Sequence, residues 1–174
     1  MQSKVLQQGE RKEIVVDATN CIAGRMCSHV SKLLLDGNKV TIVNSERAML
    51  SGNRYKTIEL YKEHLEISSA TNPIHGPFHP RRPDTILTRM VRGMVPKRKT
   101  SGIEAFKRLR VYIGIPKGLR NSKLDSFDDS KISKPLSYYI SVGDVARQIG
   151  WKGVEESKDD EMLQEVKEEN SKNE

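Results

Sequence analysis

The sequence lacks the residues that define several large classes of protein. It contains only two cysteines, Cys21 and Cys27, which supply neither a disulfide framework nor the four ligands of a structural zinc site. No apolar run approaches the roughly 18–20 residues of a membrane helix. The first 11 residues are polar and lack the apolar core of a secretory signal. We therefore expect no membrane, no disulfide scaffold, and no bound metal or other cofactor.

The motifs of nucleotide-binding enzymes are also missing. The turn after the first predicted strand, Ala18–Gly24, has one glycine where the dinucleotide fingerprint needs three, and no P-loop occurs. His75 and His79 lie in a proline-rich loop without further ligands nearby, so they do not indicate a metal site. We expect no enzyme, and the alternative is a nucleotide-using enzyme that binds a mononucleotide at Asp17–Gly24.

Acidic residues are almost missing from residues 71–123, which carry 13 lysines and arginines against Asp84 and Glu104. So concentrated a charge repels itself unless a polyanion neutralises it, and nucleic acid is the usual polyanion. The only aromatics in this stretch are Phe78, Phe106 and Tyr112, too few to indicate a sheet that stacks on bases. The pattern favours recognition of the shape and phosphates of a folded RNA, with a solubilising face as the alternative.

Hydrophobic periodicity predicts an α/β fold. Residues 13–17 and 39–44 are short β-branched runs typical of buried strands, and apolar residues recur at helical spacing between them. Thr19 or Asn20 is the predicted cap of this helix, and Gly37 is its predicted end. A strand–helix–strand unit of this kind predicts parallel strands. Other predicted elements are a helix after Ser51, a helix at 101–108, a strand at 109–113, an extended segment at 138–142 and a small helix stopped by Gly150.

The most informative helix is predicted at residues 83–94, where Pro83 begins it after a loop with three prolines. Its apolar residues fall on one arc, which comprises Ile86, Leu87, Met90, Val91 and Met94. Arg89 and Arg92 share a face off that arc. One side of this helix should therefore pack, and the other should present guanidinium groups.

Two further features concern the ends of elements and of the chain. The N-terminus of the first helix, at Gly24 and Arg25, could hold a phosphate through free N–H groups and the helix dipole, or Arg25 is simply solvated. Residues 153–174 carry nine acidic and three basic side chains, which indicates a loosely ordered acidic tail. We expect an N-terminal extension at 1–12, one α/β domain at 13–152 that includes the basic segment 71–123, and the tail at 153–174.

Four blocks of sequence resemble a known family. They are DATNCIAGRMCS (17–28), KVTIVNSERAMLSGN (39–53), NPIHGPFHPRRPDTILTRMVRGMVP (72–96) and GIEAFKRLRVYIGIP (102–116), with a weaker block VGDVARQIGWK at 142–152. On these motifs the chain resembles the universal large-subunit ribosomal protein family thirteen, in its eukaryotic cytosolic form ("thirteen a"). The third block is the most specific, because a Gly-Pro-aromatic-His loop is followed by Arg-Gly-Met-x-Pro.

The resemblance implies a three-layer α/β/α core around a short, mostly parallel sheet, with a basic Pro/Gly-rich loop. It also implies an architectural, non-catalytic role in ribosome assembly and translation. The implied partners are large-subunit rRNA and neighbouring large-subunit proteins, with no small-molecule substrate. The implied location is the cytosolic large subunit in the cytoplasm, with assembly in the nucleolus if the cell is eukaryotic. A regulatory RNA-binding module that works off the ribosome is the alternative.

The expected rRNA-binding residues come from three sources. The resemblance carries over Gly76, Pro77, His79, Arg81, Arg82, Arg89, Arg92, Lys97, Arg98 and Lys99. The basic segment adds Lys107, Arg108 and Arg110, and the N-terminus of the first helix adds Arg25.

Overall fold

The computed structural model describes residues 12–69, 72, 74 and 76–153. The expected N-terminal extension and acidic tail therefore lie almost wholly outside the described residues, as does His75. The helices are α1 (Ala23–Leu35), α2 (Arg54–Glu66), α3 (Pro83–Met94), α4 (Thr100–Lys107) and α5 (Val142–Gln148). The strands are β1 (Glu13–Asp17), β2 (Lys39–Val43), β3 (Met49–Ser51), β4 (Leu109–Val111), β5 (Leu124–Asp125) and β6 (Tyr139–Ser141).

A parallel sheet of four strands forms the centre of the fold, in the order β4-β2-β1-β5. Val16 lies opposite Ile42, and Ile42 lies opposite Val111, so apolar side chains line up across the three longer strands. The strands β3 and β6 form a separate antiparallel pair. The predicted α/β fold with a mostly parallel sheet is confirmed.

The core is one apolar cluster that the sheet shares with α1, α3, α4 and α5. Met26, Val30 and Leu34 face it from α1, at the helical spacing that the sequence shows. The helix α1 packs against both α3 and α4. By contrast, α2 has no fully buried residue: it packs against α5, and Tyr61 and Leu65 reach the core only partly buried. No helix within the described residues is long and apolar enough to span a bilayer.

The predicted cap of α1 is wrong. The N-cap residue is Ile22, and its side chain makes no capping hydrogen bond. The Thr19 hydroxyl instead donates to the Asp17 carboxylate at 2.7 Å, and Asn20 adopts a left-handed φ of 55°. Both residues shape the turn that leaves β1, four and three residues before the helix begins at Ala23.

Candidate nucleic-acid interface

The helix α3 separates the core from the basic part of the surface. Pro83 occupies its first turn, where a missing N–H costs nothing, and the helix spans the residues that the sequence predicts. Ile86, Leu87 and Val91 are buried in the core and Met90 is half-buried, but Met94, the last residue of the helix and of the predicted arc, is exposed. Arg89 and Arg92 are exposed on the opposite side. Burial of the apolar arc therefore fixes the direction in which the two guanidinium groups point.

The turn between α3 and α4 carries three consecutive cations, Lys97, Arg98 and Lys99. All three are exposed, and within the described residues their side chains make no hydrogen bond or ion pair. Their backbone is nevertheless fixed, because the Lys97 N–H donates to Val95 and the Lys99 N–H donates to the Pro96 carbonyl. The turn thus holds three unpaired charges on a defined backbone.

Arg89, Arg92 and these three cations form a continuous surface, which we call the basic surface. Arg89 and Arg92 line one hollow, and Arg92 and Lys97 line the next. The structure therefore brings together five of the residues that the sequence predicts to bind RNA. Lys107 is exposed at the end of α4, with no partner for its amino group among the described residues.

The loop before α3 is held to the domain by hydrogen bonds from two predicted site residues. His79 Nε2 donates to the Ile67 carbonyl at 2.8 Å, and Arg89 Nη1 donates to the Phe78 carbonyl at 2.8 Å. Gly76 and Pro77, also predicted site residues, precede this anchored part and are half-buried and exposed. The loop therefore reaches the edge of the basic surface with its last residues fixed.

Arg81 and Arg82 behave differently from the cations of the basic surface. The Arg82 guanidinium forms a two-point ion pair with Asp84, with its nitrogens 3.2 and 3.0 Å from the two carboxylate oxygens. Asp84 also lies in the first turn of α3, where the helix dipole favours a negative charge. Arg81 is exposed and extends over Gly150, at the end of α5. The Arg82 guanidinium is thus already paired with a carboxylate in the first turn of α3.

Arg108 and Arg110 also bond to backbone carbonyls within the domain. Arg108 Nη2 donates at 2.7 Å to the Leu34 carbonyl in the last turn of α1, where a cation is favoured. Arg110 Nη1 donates to the carbonyls of Lys107 and Leu109. Because the Arg108 side chain is half-buried and caps a helix, we leave Arg108 out of the proposed interface.

Arg25 lies in the first turn of α1, where it contacts residue 129. Its Nη1 is 3.3 Å from the Asp129 carbonyl, to which it donates. The segment that it contacts carries Asp128 and Asp129, and the Ile22 N–H donates to the Ser130 carbonyl of the same segment. The protein's own acidic segment thus lies at the helix N-terminus where a phosphate was expected.

The turn after β1 uses its polar groups to hold the fold together. The Asp17 carboxylate accepts hydrogen bonds from Asn44 Nδ2 at 2.9 Å and from the N–H and hydroxyl of Thr19. Burial alone would raise the pKa of Asp17, but these hydrogen bonds outweigh it and hold the pKa below its usual value. Since its contacts are internal, Asp17 does not support the mononucleotide alternative.

Cys27, buried in α1, is not a nucleophile. Burial raises the pKa of its thiol to about 12, so the reactive thiolate is scarcely formed near neutral pH.

Comparison with known proteins identifies the family. Residues 11–118 match the family model described as "Ribosomal protein L13". The "Large ribosomal subunit protein uL13" of Aeropyrum pernix is 43% identical over 150 residues, which cover 86% of this chain and 97% of that protein. The proteins of the same name from Methanococcoides burtonii and Sulfolobus acidocaldarius are each 42% identical, over 79% of this chain and 98% and 93% of their own lengths.

The chain belongs to the ribosomal protein L13 family. It is a structural ribosomal protein and not an enzyme, so the prediction of its function class is confirmed and the nucleotide-using enzyme is set aside. The family match contains β1 to β4 and the whole basic surface, whereas β5, β6 and α5 lie beyond its last residue.

One glycine of this L13 protein controls how closely α4 approaches the end of α3. A Cβ built on Gly102 lies 2.6 Å from the carbonyl carbon of Pro96, and closer still to the carbonyl oxygen. Only a residue without a side chain therefore allows α4 to follow the basic turn so tightly. Gly93, near the end of α3, has no atom within 4 Å of the same built position.

We expect Gly102→Ala to destabilise the protein by about 1–3 kcal/mol, because backbone atoms must move to admit the methyl group. Gly93→Ala is the matched control, and should be neutral or stabilising by up to about 1 kcal/mol, since alanine is the better helix former. Urea unfolding of both full-length variants measures the two values. Equal effects of the two substitutions would show that the approach of α4 to Pro96 is not tight.

Proposed function

We propose that the chain is a structural constituent of the large ribosomal subunit that binds folded large-subunit rRNA through the basic surface. One observation carries this proposal. Arg92, on the outer side of α3, and Lys97, Arg98 and Lys99, in the turn that follows it, are exposed and unpaired within the described residues, while the inner side of α3 is buried in the core.

The charge balance of this region supports phosphate as the partner. Residues 71–123 hold 13 basic and 2 acidic residues, a net charge of +11, and Asp84 is already paired with Arg82. Guanidinium groups bind phosphate oxygens at two points, and lysines neutralise phosphates as point charges. Each phosphate contact releases counterions, which favours association and makes it salt-dependent. A rigid domain with this surface stabilises a folded RNA without any chemical step.

The other predicted rRNA-binding residues have different roles in this proposal, according to the contacts that each side chain already makes. Gly76, Pro77, Arg81 and Lys107 border the basic surface and extend the contact with RNA. His79 and Arg89 position the loop, and Arg89 retains guanidinium nitrogens for a phosphate. Arg82 and Arg110 contribute charge from internally bonded positions. Arg25 is left out of the proposed contact, because its guanidinium donates to the Asp129 carbonyl beside the acidic residues 128 and 129.

The proposed domain spans residues 13–152, and the acidic tail lies outside the rRNA contact. Leu60 on α2 and Ile67 directly after it are exposed apolar residues, and they provide a surface for neighbouring large-subunit proteins. We place the protein in cytosolic ribosomes, with assembly in the nucleolus if the cell is eukaryotic.

Sedimentation tests the proposal in the protein's own cells. A tagged full-length chain is run on sucrose gradients at low salt and again after a high-salt wash. We expect it to remain with the large subunit in both gradients, because many phosphate contacts act together. A free species of about 20 kDa at both salts would contradict the proposal. That outcome would favour the regulatory RNA-binding module that works off the ribosome.

A further inference from the structure

A hollow beside the basic surface is lined by aromatic and cationic side chains, the two kinds of residue that bind a nucleotide. It lies between the end of the loop, α3 and α4, with a volume of about 370 Å³. This volume is within the roughly 300–1,000 Å³ range of small-molecule pockets. Phe78 lines it from the loop and Phe106 lines it from α4, while Arg89 and Arg92 line it from α3.

Phe78 is one of the three aromatic residues of the basic segment 71–123, and its ring is exposed to solvent. Its exposed fraction is 84%, so the domain itself gains little from burying the ring. Its backbone is nevertheless fixed, because Arg89 Nη1 donates to the Phe78 carbonyl at 2.8 Å. An exposed ring on an anchored backbone is already positioned to pack against a partner, so little conformational entropy is lost on binding.

The charges around the ring indicate the chemistry of that partner. Arg92 is exposed on the rim of the hollow, and within the described residues its guanidinium has no hydrogen-bond partner. An apolar side chain of a neighbouring protein would desolvate this arginine without compensation. An unpaired nucleotide satisfies both features, because its base stacks on an aromatic ring and its phosphate accepts from a guanidinium.

We propose that this hollow receives one unpaired nucleobase of the bound RNA, stacked on Phe78, with the adjoining phosphate on Arg92. This inference rests on the proposed function, and adds a contact that discriminates between RNA structures. The basic surface alone attracts any folded RNA, whereas the hollow favours an RNA that presents a base outside its helix. A bulged or looped nucleotide is therefore the feature that the domain would recognise.

Two short RNA hairpins test this proposal with the full-length protein. One carries a single bulged adenosine in its stem, and the other has the same stem fully paired. We expect tighter binding of the bulged hairpin, by between about 5-fold and 100-fold, from the contribution of one stacked base. Phe78→Leu should remove this preference, because leucine keeps an apolar side chain but has no aromatic face.

The matched control is Tyr55→Leu, which removes an aromatic residue of similar exposure, 81%, from α2 outside the basic segment. It should keep the preference of the wild-type protein. Both substitutions lie at exposed positions, so thermal unfolding midpoints close to the wild-type value confirm that each variant is folded.

The possible failures separate the two proposals. If both hairpins bind with a steep salt dependence but without a preference, the nucleobase site is wrong and the basic surface stands. A preference for the bulged hairpin that survives in Phe78→Leu also overturns the site. If Phe78→Leu keeps that preference but no longer sediments with the large subunit, Phe78 contacts a neighbouring protein instead of a base. If neither hairpin binds in a salt-dependent way, the proposed function is wrong as well.

Discussion

Reversing the charges of Lys97, Arg98 and Lys99 to glutamate is expected to make the salt dependence of rRNA binding markedly shallower. The slope of log K against log [salt] is negative, and each lost phosphate contact reduces its magnitude by about 1. The magnitude of the slope should therefore be about 3 smaller for the triple variant. About ten contacts would give the wild-type protein a slope of roughly −7 to −9. Because the glutamates also repel phosphate, affinity at low salt should fall by more than tenfold, on the order of the loss of several contacts.

The control for this experiment must change the total charge of the protein by the same amount. Lys32, Lys56 and Lys62 are exposed, lie outside residues 71–123, and make no side-chain hydrogen bond within the described residues. Their reversal to glutamate also lowers the net charge of +7 by six units, two for each residue. Filter binding of large-subunit rRNA over a range of salt concentrations compares the variants.

We expect the control to bind with a slope close to that of the wild-type protein. Its affinity should fall only modestly, because distant exposed charges are screened over a Debye length of about 10 Å at 0.1 M salt. Equal losses in the two triple variants would show that net charge alone attracts the RNA, and would remove the basic surface as an interface. Unchanged slopes in both would place the RNA contact elsewhere on the domain.

The elements that the sequence predicts well are those with a strong hydrophobic period. The β1–α1–β2 unit and α3 each combine such a period with turn residues or prolines at their ends. The bounds of β1, β2 and α3 match the structure within one residue, whereas α1 begins two or three residues after its predicted start. The strands β3 and β5 have three and two residues and are not predicted, whereas β4 and β6, also of three residues, lie within the longer predicted segments 109–113 and 138–142. A run that short shows no period, and it becomes a strand only when a neighbouring strand provides backbone partners.

In the candidate site, the direction of the α3 arginines could be predicted from the sequence pattern, whereas the bonds that arginines make to distant backbone could not. The periodicity places Arg89 and Arg92 on the outer side of α3, because the buried arc opposite them fixes the rotation of the helix. It gives no sign that Arg108 bonds the Leu34 carbonyl, since those residues are 74 positions apart in sequence. The bond from Arg89 to Phe78 is also tertiary, because it depends on the path of the loop. A list of cations from sequence therefore includes residues whose guanidinium groups already bond within the domain, and only the structure distinguishes these from cations that are free to bind a partner.

The two sides of α3 should be separable by mutation. Leu87 is fully buried in the core, and Leu87→Ala is expected to destabilise the protein by about 2–5 kcal/mol, through lost apolar contacts and the cavity left behind. Met94 lies on the same helix but is 44% exposed, so Met94→Ala should cost less than about 1 kcal/mol. Urea unfolding monitored by circular dichroism measures both values.

The RNA affinity of the same two variants completes the test. At a temperature where Leu87→Ala is still folded, its salt slope should equal that of the wild-type protein, because the basic surface keeps all of its charges. The triple charge reversal should show the opposite behaviour, a shallower slope with a nearly unchanged free energy of unfolding. A Leu87→Ala cost near zero would mean that the buried arc of α3 is assigned to the wrong side. In that case the same rotation of the helix would also turn Arg89 and Arg92 away from the RNA.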